Sequence, residues 1–347
     1  MNRETITDPV TRRRFLSLTA MAAAVTACGV PDSAGTGGGK LKAATYIPPS
    51  YKDLFPPFQM FMETAKKESG GDLVFDLFHS ETLLSADQLV PGLLQGVADA
   101  VFQVSSYVSS SYPVLGVYEM PFVNNDIAQT ERALEVGGPL YDMINKELGA
   151  KGLRLIGSML TTEEWIWTME KPIRKPSDME GLRIRTAGEV EGETVKALGG
   201  SPVSMSSSEV YQALERGTID GMISYTGTVI SRDLQEIIRY GTVGHFGHYG
   251  VDTYVRKEWF DGLDSAAQEA LLAAGRKYWK DGTAHQHQVI EQSYLPKIDQ
   301  AGIELFEPTG AELKAFEQAT TGVYDWWRNR VGSTALADRA LNLVQTA

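Results

Sequence analysis

The chain has 347 residues, of which 44 are acidic and 32 basic, for a formal net charge of −12 with a single cysteine. Such an acidic balance argues against a nucleic-acid partner, whose phosphates require a basic face, and one cysteine rules out an internal disulfide. Stability must therefore come from core packing, for which the length suffices, and by size the core should divide into two lobes.

The first segment, "TRRRFLSLTAMAAAVTACG", joins Arg12, Arg13 and Arg14 to an apolar stretch from Phe15 to Ala27 and ends on Cys28. The stretch is too short to span a bilayer and fits the core of a signal peptide. Its arginines carry the twin-arginine pattern of proteins exported already folded. Val25, Thr26 and Ala27 are the small residues expected ahead of a lipidated cysteine. Residues 1–28 thus read as a lipoprotein signal peptide and Cys28 as the lipidation site, anchoring the protein to a membrane after export. Residues 29–41 follow as a flexible Gly/Ser tether. Gly35 to Lys40 only imitates a phosphate loop, because no strand precedes it and Leu41, not Ser or Thr, follows the lysine. No later segment is apolar enough to cross a membrane.

Two stretches echo each other. "SADQLVPGLLQGVADAVF" begins at Ser85 and "SSSEVYQALERGTIDGMI" at Ser206. Each opens on a capping box, Ser85/Gln88 and Ser206/Glu209, that predicts a helix start. Each helix should end at a glycine, Gly96 or Gly217, and each leads into a short strand with an aspartate at the same offset, Asp99 or Asp220. Strands are predicted just ahead, at 72–78 and 201–205, so strand and helix alternate and the layers are α/β. From 264 to 302 nearly every residue is a helix former, with Gly275, Gly282 and Pro296 as possible bends. A helix that long, up to about 50 Å, would outreach one lobe and tie the two together.

Open α/β sheets bind ligands at the carboxyl ends of their strands. In "GLRIRTAG" the alternation turns Leu182 and Ile184 toward the core and Arg183 and Arg185 away from it, with Arg185 at the strand end nearer the crevice. Its fork of donors suits a carboxylate. "TTEEWIWT" places Trp165 and Trp167 on one strand face, either as packing or as a flat wall for a ligand. Glu163 and Glu164 beside them are solvated or bind an amine. After the Asp99 strand, Gln103, Ser105, Ser106 and Tyr107 stand where polar groups would meet a ligand from the first lobe, and Tyr225 is placed similarly in the second. Enzyme signatures are missing: there is no Gly-x-Ser-x-Gly elbow, no His-Glu-x-x-His and no nucleophilic cysteine beyond the signal. The pairs His245/His248 and His285/His287 lack the spacing and acidic partner of a zinc site. No cofactor and no metal is expected.

"GLRIR", "ALGGSPVSMSSSEVYQALERGTIDG", "LLQGVADAVF" and "YEMPFV" resemble the extracytoplasmic solute-binding proteins of tripartite ATP-independent periplasmic (TRAP) transporters, the DctP-type family, over roughly residues 41–330. That resemblance implies a periplasmic-binding-protein-like clamshell: two α/β lobes with open mixed sheets, helices on both faces and a long helix crossing both. Lobe I would comprise 42–161 with about 248–283, lobe II 162–247 with about 284–330, and 331–347 would form a C-terminal tail. It further implies a receptor without catalytic activity that closes on a small organic acid and delivers it to membrane permease subunits.

Arg185 falls on the family's carboxylate-binding arginine. Three positions depart from the family pattern: Trp165 where a second arginine is common, Ser224 where asparagine is common, and Ser207 where phenylalanine is common. One guanidinium with two tryptophans points to a monocarboxylate with an apolar or aromatic body. The ligand set expected from residues and resemblance together is Arg185, Trp165, Trp167, Tyr225, Ser224, Ser207, Gln103 and Glu163. Competing readings are a zwitterion or dicarboxylate receptor of the same family, a sensor module, and an exported enzyme using Glu163 or Glu164 with Tyr225.

Overall fold

The structure is a computed structural model that describes residues 40–123 and 126–347. The signal segment, Cys28 and most of the tether lie outside the described residues.

Eleven strands build two open sheets among the described residues. In chain order they are β1 (Leu41–Ala44), β2 (Phe75–Phe78), β3 (Ala100–Val104), β4 (Leu153–Leu160), β5 (Trp165–Thr168), β6 (Arg183–Thr186), β7 (Ser201–Ser204), β8 (Gly221–Ser224), β9 (Tyr240–Thr242), β10 (Gly250–Arg256) and β11 (Glu304–Phe306). The first sheet runs β2-β1-β3-β10-β4 and the second β11-β9-β5-β8-β6-β7. Both are mixed: β10 enters the first antiparallel to its neighbours, and β5 does the same in the second. Helices cover them, as the alternation of elements predicts.

The internal echo is a structural repeat. The Asp99 carboxylate accepts the Lys42 N–H at 2.8 Å while the Asp99 N–H donates to the Lys42 carbonyl. Asp220 does the same to Arg183, at 2.8 Å and 2.7 Å. Each aspartate therefore locks the start of one strand to the parallel strand beside it, β3 to β1 and β8 to β6. Gly96 and Gly217 both adopt positive φ, 80° and 63°, as helix-ending glycines do. The capping boxes differ from expectation. Glu209 accepts the Ser206 N–H at 3.0 Å, half of a box, but the Ser206 hydroxyl serves the Ser208 N–H. The Ser85 hydroxyl bonds the Asp87 carboxylate and caps nothing.

The chain passes between the sheets where β4 leads to β5 and where β9 leads to β10. These two crossings pair with each other: Thr161 N–H donates to the Tyr249 carbonyl at 3.0 Å and Glu164 N–H to the Gly247 carbonyl at 2.9 Å. A third passage is the continuous helical run 265–300. It is regular where Gly275 and Pro296 stand, and its irregularities are two π turns, Tyr278–Gly282 and Ile290–Tyr294. Gly275 serves close approach instead, since a Cβ there would lie 2.2 Å from the Ile156 carbonyl oxygen of β4. Downstream, the run packs on the helix Thr226–Ser231 that follows β8.

The C-terminal segment is not a loose tail. Helix Ala311–Val331 lies against both lobes, with Trp327 Nε1 donating to the Pro113 carbonyl at 2.8 Å. Helix Thr334–Gln345 buries Ala337, Ala340, Leu341 and Val344. No helix among the described residues is long and apolar enough to cross a membrane.

Candidate functional site

β6 places Arg185 one residue before its end, on the face opposite the buried Ile184. Arg183, two residues earlier on that face, reaches the surface and is held by Asp220 at 2.8 Å. Arg185 instead is 2% exposed, because residues of the first lobe lie over it. Its Nε donates to the Met205 carbonyl at 3.1 Å and its Nη2 to Tyr107 Oη at 2.8 Å. No carboxylate of the described residues forms an ion pair with it. Burial by itself would lower the Arg185 pKa, but Tyr107, Glu191, Tyr249 and Tyr46 outweigh that cost and keep the guanidinium firmly charged.

Around this guanidinium is a small cavity lined by Tyr46, Tyr51, Leu54, Val104 and Tyr107 from one side and by Arg185, Ala187, Ser207, Tyr225, Thr228 and Tyr249 from the other. Its volume is about 10 Å³, room for about one water molecule. Hydrogen bonds close it across the lobes. Ser207 N–H donates to Tyr107 Oη at 3.0 Å, and Tyr225 Oη donates to the Asp53 carboxylate at 2.7 Å. Asp53 is fully buried, which raises its pKa to about 6 against the lowering effect of that Tyr225 hydrogen bond. A larger cleft of about 1040 Å³ shares Tyr107 and Ala187 with the cavity and runs between residues 86–112 and 186–204. Gly188, at its wall, sits so near Ser106 that a Cβ would come 2.5 Å from the Ser106 carbonyl oxygen.

Three buried glutamates stand within electrostatic reach of one another. Glu119 accepts from the Ser105 hydroxyl at 3.2 Å, Glu191 accepts the Ala187 N–H at 2.6 Å, and neither Glu164 oxygen has a hydrogen-bond partner. Burial raises all three pKa values; Glu119 and Glu164 also suffer the Glu191 charge, whereas Arg185 pulls Glu164 and Glu191 back down. Burial thus works against ionisation of all three, while the Arg185 guanidinium favours it at Glu164 and Glu191.

Of the residues expected from the sequence, Arg185, Tyr225 and Ser207 line this cavity, as does Tyr107 from the first lobe. Ser224 touches its lining, donating to Thr228 Oγ1 at 2.9 Å with Tyr249 Oη 3.4 Å away. The other four lie outside its lining. Trp165 and Trp167 do stack, with ring centroids 5.4 Å apart, but neither lines the cavity. Trp167 is fully buried, with its Nε1 spent on the Ser224 carbonyl at 2.9 Å. Gln103 turns to the larger cleft and satisfies itself on the Ala86 carbonyl and the Val104 N–H. Glu163 stands 3.6 Å from His245, away from the cavity.

Sequence reasoning missed Tyr46, Tyr51 and Tyr249, and also Arg232. The Arg232 Nε donates to Tyr51 Oη and its Nη2 to Ser207 Oγ, both at 3.2 Å, with the guanidinium 5.2 Å from the Tyr51 ring centre. Tyr46 and Tyr51 follow β1 at its carboxyl end, which was the available signal. No group of His, Cys, Asp or Glu able to hold a metal ion occurs among the described residues. His285 bonds the Lys52 carbonyl and His287 pairs with Glu131, both at 2.8 Å.

Residues 48–330 match the family described as bacterial extracellular solute-binding protein, family 7. The chain belongs to this family. Family 7 relatives include the 2,3-diketo-L-gulonate-binding periplasmic protein YiaO of Escherichia coli, 26% identical over 75% of this chain and 78% of that protein. The C4-dicarboxylate-binding periplasmic protein DctP of Rhodobacter capsulatus is also 26% identical, over 80% of this chain and 83% of its own length. Among solved structures, a TRAP periplasmic solute-binding protein from Sulfitobacter with bound β-D-galacturonate superposes with a TM-score of 0.78 at 22% identity, covering 89% of this chain and all of that one. The Bordetella pertussis extracytoplasmic solute receptor DctP6, which binds pyroglutamic acid, gives 0.79 at 22% identity, over 88% and 99%. The two-lobed fold expected from the sequence is thus that of the TRAP receptors, and the chain is a TRAP-type solute-binding receptor.

Proposed function

We propose that this receptor captures a small organic acid by docking its carboxylate on Arg185, closes its lobes around it and delivers it to the membrane permease of a TRAP system. The observation that carries this reading is a fully buried, charged guanidinium that forms no ion pair among the described residues and faces a cavity walled by residues of both lobes. A buried charge with no carboxylate in direct hydrogen-bonding contact is costly, and an acid ligand supplies that contact. Tyr107 Oη occupies the Nη2 position that a carboxylate oxygen would take or share, so ligand entry requires the first lobe to move back with Tyr107. The ligand body then lies among Tyr46, Tyr51, Tyr225 and Tyr249, an aromatic wall built from tyrosines and not from the tryptophans of β5.

A hydrogen bond to a charged group nets about 1.5–3 kcal/mol, whereas micromolar affinity needs about 8 kcal/mol. Arg185 therefore orients the acid, and burial on closure supplies most of the affinity. Members of this family are described as solute-binding proteins, so the ligand should leave chemically unchanged. Export and lipidation at Cys28 would hold the receptor at the outer side of the membrane beside its permease.

The test is a thermal-shift screen of the full chain against monocarboxylates, dicarboxylates, sugar acids and zwitterions, followed by mass spectrometry of ligand recovered after long incubation. Stabilisation by carboxylates with unchanged ligand supports the reading. Stabilisation by none of the acids, or a chemically altered ligand, overturns it.

A further inference from the structure

One side chain of the first lobe sits in the core of the second. Phe122 follows the turn Pro113–Glu119, and its neighbours Tyr118, Met120 and Val123 are buried in the hydrophobic core that holds Val101, Leu155 and Val251 of the first sheet. Phe122 itself packs on a separate apolar cluster built on Ile166 of β5, Ile184 of β6 and Ile223 of β8. Its ring meets Phe246 edge-on, with centroids 5.4 Å apart, and Phe246 meets Phe316 of the helix Ala311–Val331 at the same distance. The backbone is gripped as well. Phe122 N–H donates to the His245 carbonyl at 2.7 Å and His248 N–H to the Tyr118 carbonyl at 3.3 Å, so residues 118–122 run antiparallel beside the crossing from β9 to β10. Tyr324 Oη donates to the Pro121 carbonyl at 2.7 Å from the other side.

Phe122 has a φ of 54°. The other non-glycine residues with positive φ among the described residues, Ser80, Glu81 and Asp233, are polar, whereas a bulky residue in this region is an outlier. Such strain persists only where the surroundings over-determine it. Here the ring in its socket and the bond to His245 do so, and the segment would relax if the ring withdrew. The socket also stands beside one of the passages that join the lobes. Near a hinge axis a given rotation moves atoms little, and edge-on aromatic contacts tolerate a range of centroid distances, about 4.5–7 Å. The Phe122 contact can therefore survive a rotation that separates Tyr107 from Ser207 at the cavity.

We propose that Phe122 is the fulcrum of lobe motion: a first-lobe ring socketed between Phe246 and the second-lobe core, on which the lobes rock as the cleft opens and which limits how far they part. This inference rests on the reading that the lobes close around an acid. It adds a non-covalent contact to the three covalent passages between the sheets, and it makes the ring, not the backbone conformation, the part that restrains opening.

The test is the distance distribution between spin labels on the two lobes of the full chain, placed by Lys66→Cys and Glu215→Cys, both exposed positions, with Cys28→Ser to leave no other thiol. Without added acid, Phe122→Ala should raise the population at longer distances about 2–10-fold, as loss of one aromatic contact would. Phe122→Gly, which takes positive φ without strain, should do the same, and Phe122→Leu should stay close to the parent. Phe316→Leu, which loosens the socket from its far side, should shift the distribution in the same direction and serves if a Phe122 variant does not fold. Circular dichroism and melting of each variant establish folding. Distributions unchanged by Phe122→Ala and Phe316→Leu, or widened by Phe122→Ala but restored by Phe122→Gly, overturn the inference. An acid that raises the melting temperature of the parent should shorten its mean distance. A parent that binds such an acid without shortening sinks the closure reading, while the distributions without acid still decide the role of Phe122.

Discussion

Replacing Tyr225 by Phe removes a single oxygen, the one that donates to the Asp53 carboxylate at 2.7 Å between a residue following β8 and the segment that leads into helix Phe55–Glu68. Asp53 would keep only Tyr294 Oη, 3.3 Å from its other oxygen. The cost depends on the charge of Asp53, whose pKa burial has raised to about 6. At pH 8 the carboxylate is ionised and the lost hydrogen bond is charge-assisted, so the variant should lose about 2–3 kcal/mol of stability. At pH 5 the carboxyl is protonated and the loss should fall to about 1 kcal/mol. The sign follows from linkage: removing a donor that favours the ionised form raises the folded pKa further and penalises the folded state only above it. Equilibrium urea unfolding of parent and variant at the two pH values measures the difference. A penalty equal at both, or larger at pH 5, would refute the argument that this bond clasps the lobes through an ionisable carboxylate.

The same buried carboxyl groups set the pH profile of the parent. Asp53 and Asp252 rise to about 6 from an ordinary 3.8, so each adds stability that is complete below pH 4 and is lost as the pH climbs to about 6, about 3 kcal/mol apiece. His248, pushed down to about 4 by burial, acts oppositely, because the unfolded chain takes up its proton first as the pH falls from 6.5. Glu119 and Glu164 reinforce the aspartates, and the urea midpoint should therefore be higher at pH 5 than at pH 7.5; a midpoint that rises steadily over that range would contradict the assignment. Gly188→Ala would push a methyl group to 2.5 Å from the Ser106 carbonyl oxygen across the lobes. Overpacking of about 1–3 kcal/mol should weaken ligand binding about tenfold or more while the far-ultraviolet spectrum stays unchanged, and undiminished affinity would show that these segments need not meet.

How much of this was legible depends on where each residue's partner comes from. Arg185 could be found because the alternation of β6 and the position at a strand end are local facts. Asp99 and Asp220 announced the repeat because each bonds the parallel strand beside its own in the same way. The tryptophans stayed open between packing and a ligand wall because a strand pattern reveals which residues share a face but not what covers that face. β5 lies inside its sheet between β9 and β8, and Trp167 is spent on the Ser224 carbonyl of β8. Arg232 stayed hidden because it ends a six-residue helix with no side-chain cap to mark it, and its hydrogen bond to Tyr51 forms only across the lobes. The tyrosine wall likewise draws on positions 46, 51, 107, 225 and 249, which only tertiary folding brings together.

The most direct measurement is calorimetric titration of the parent and of Arg185→Gln with an acid that stabilises the parent in the thermal-shift screen. Arg185→Gln keeps donors but no charge, and it should reduce affinity about 10–100-fold while the lobes remain folded by circular dichroism. Retained affinity in a folded Arg185→Gln variant would contradict the assignment of the buried guanidinium as the carboxylate anchor.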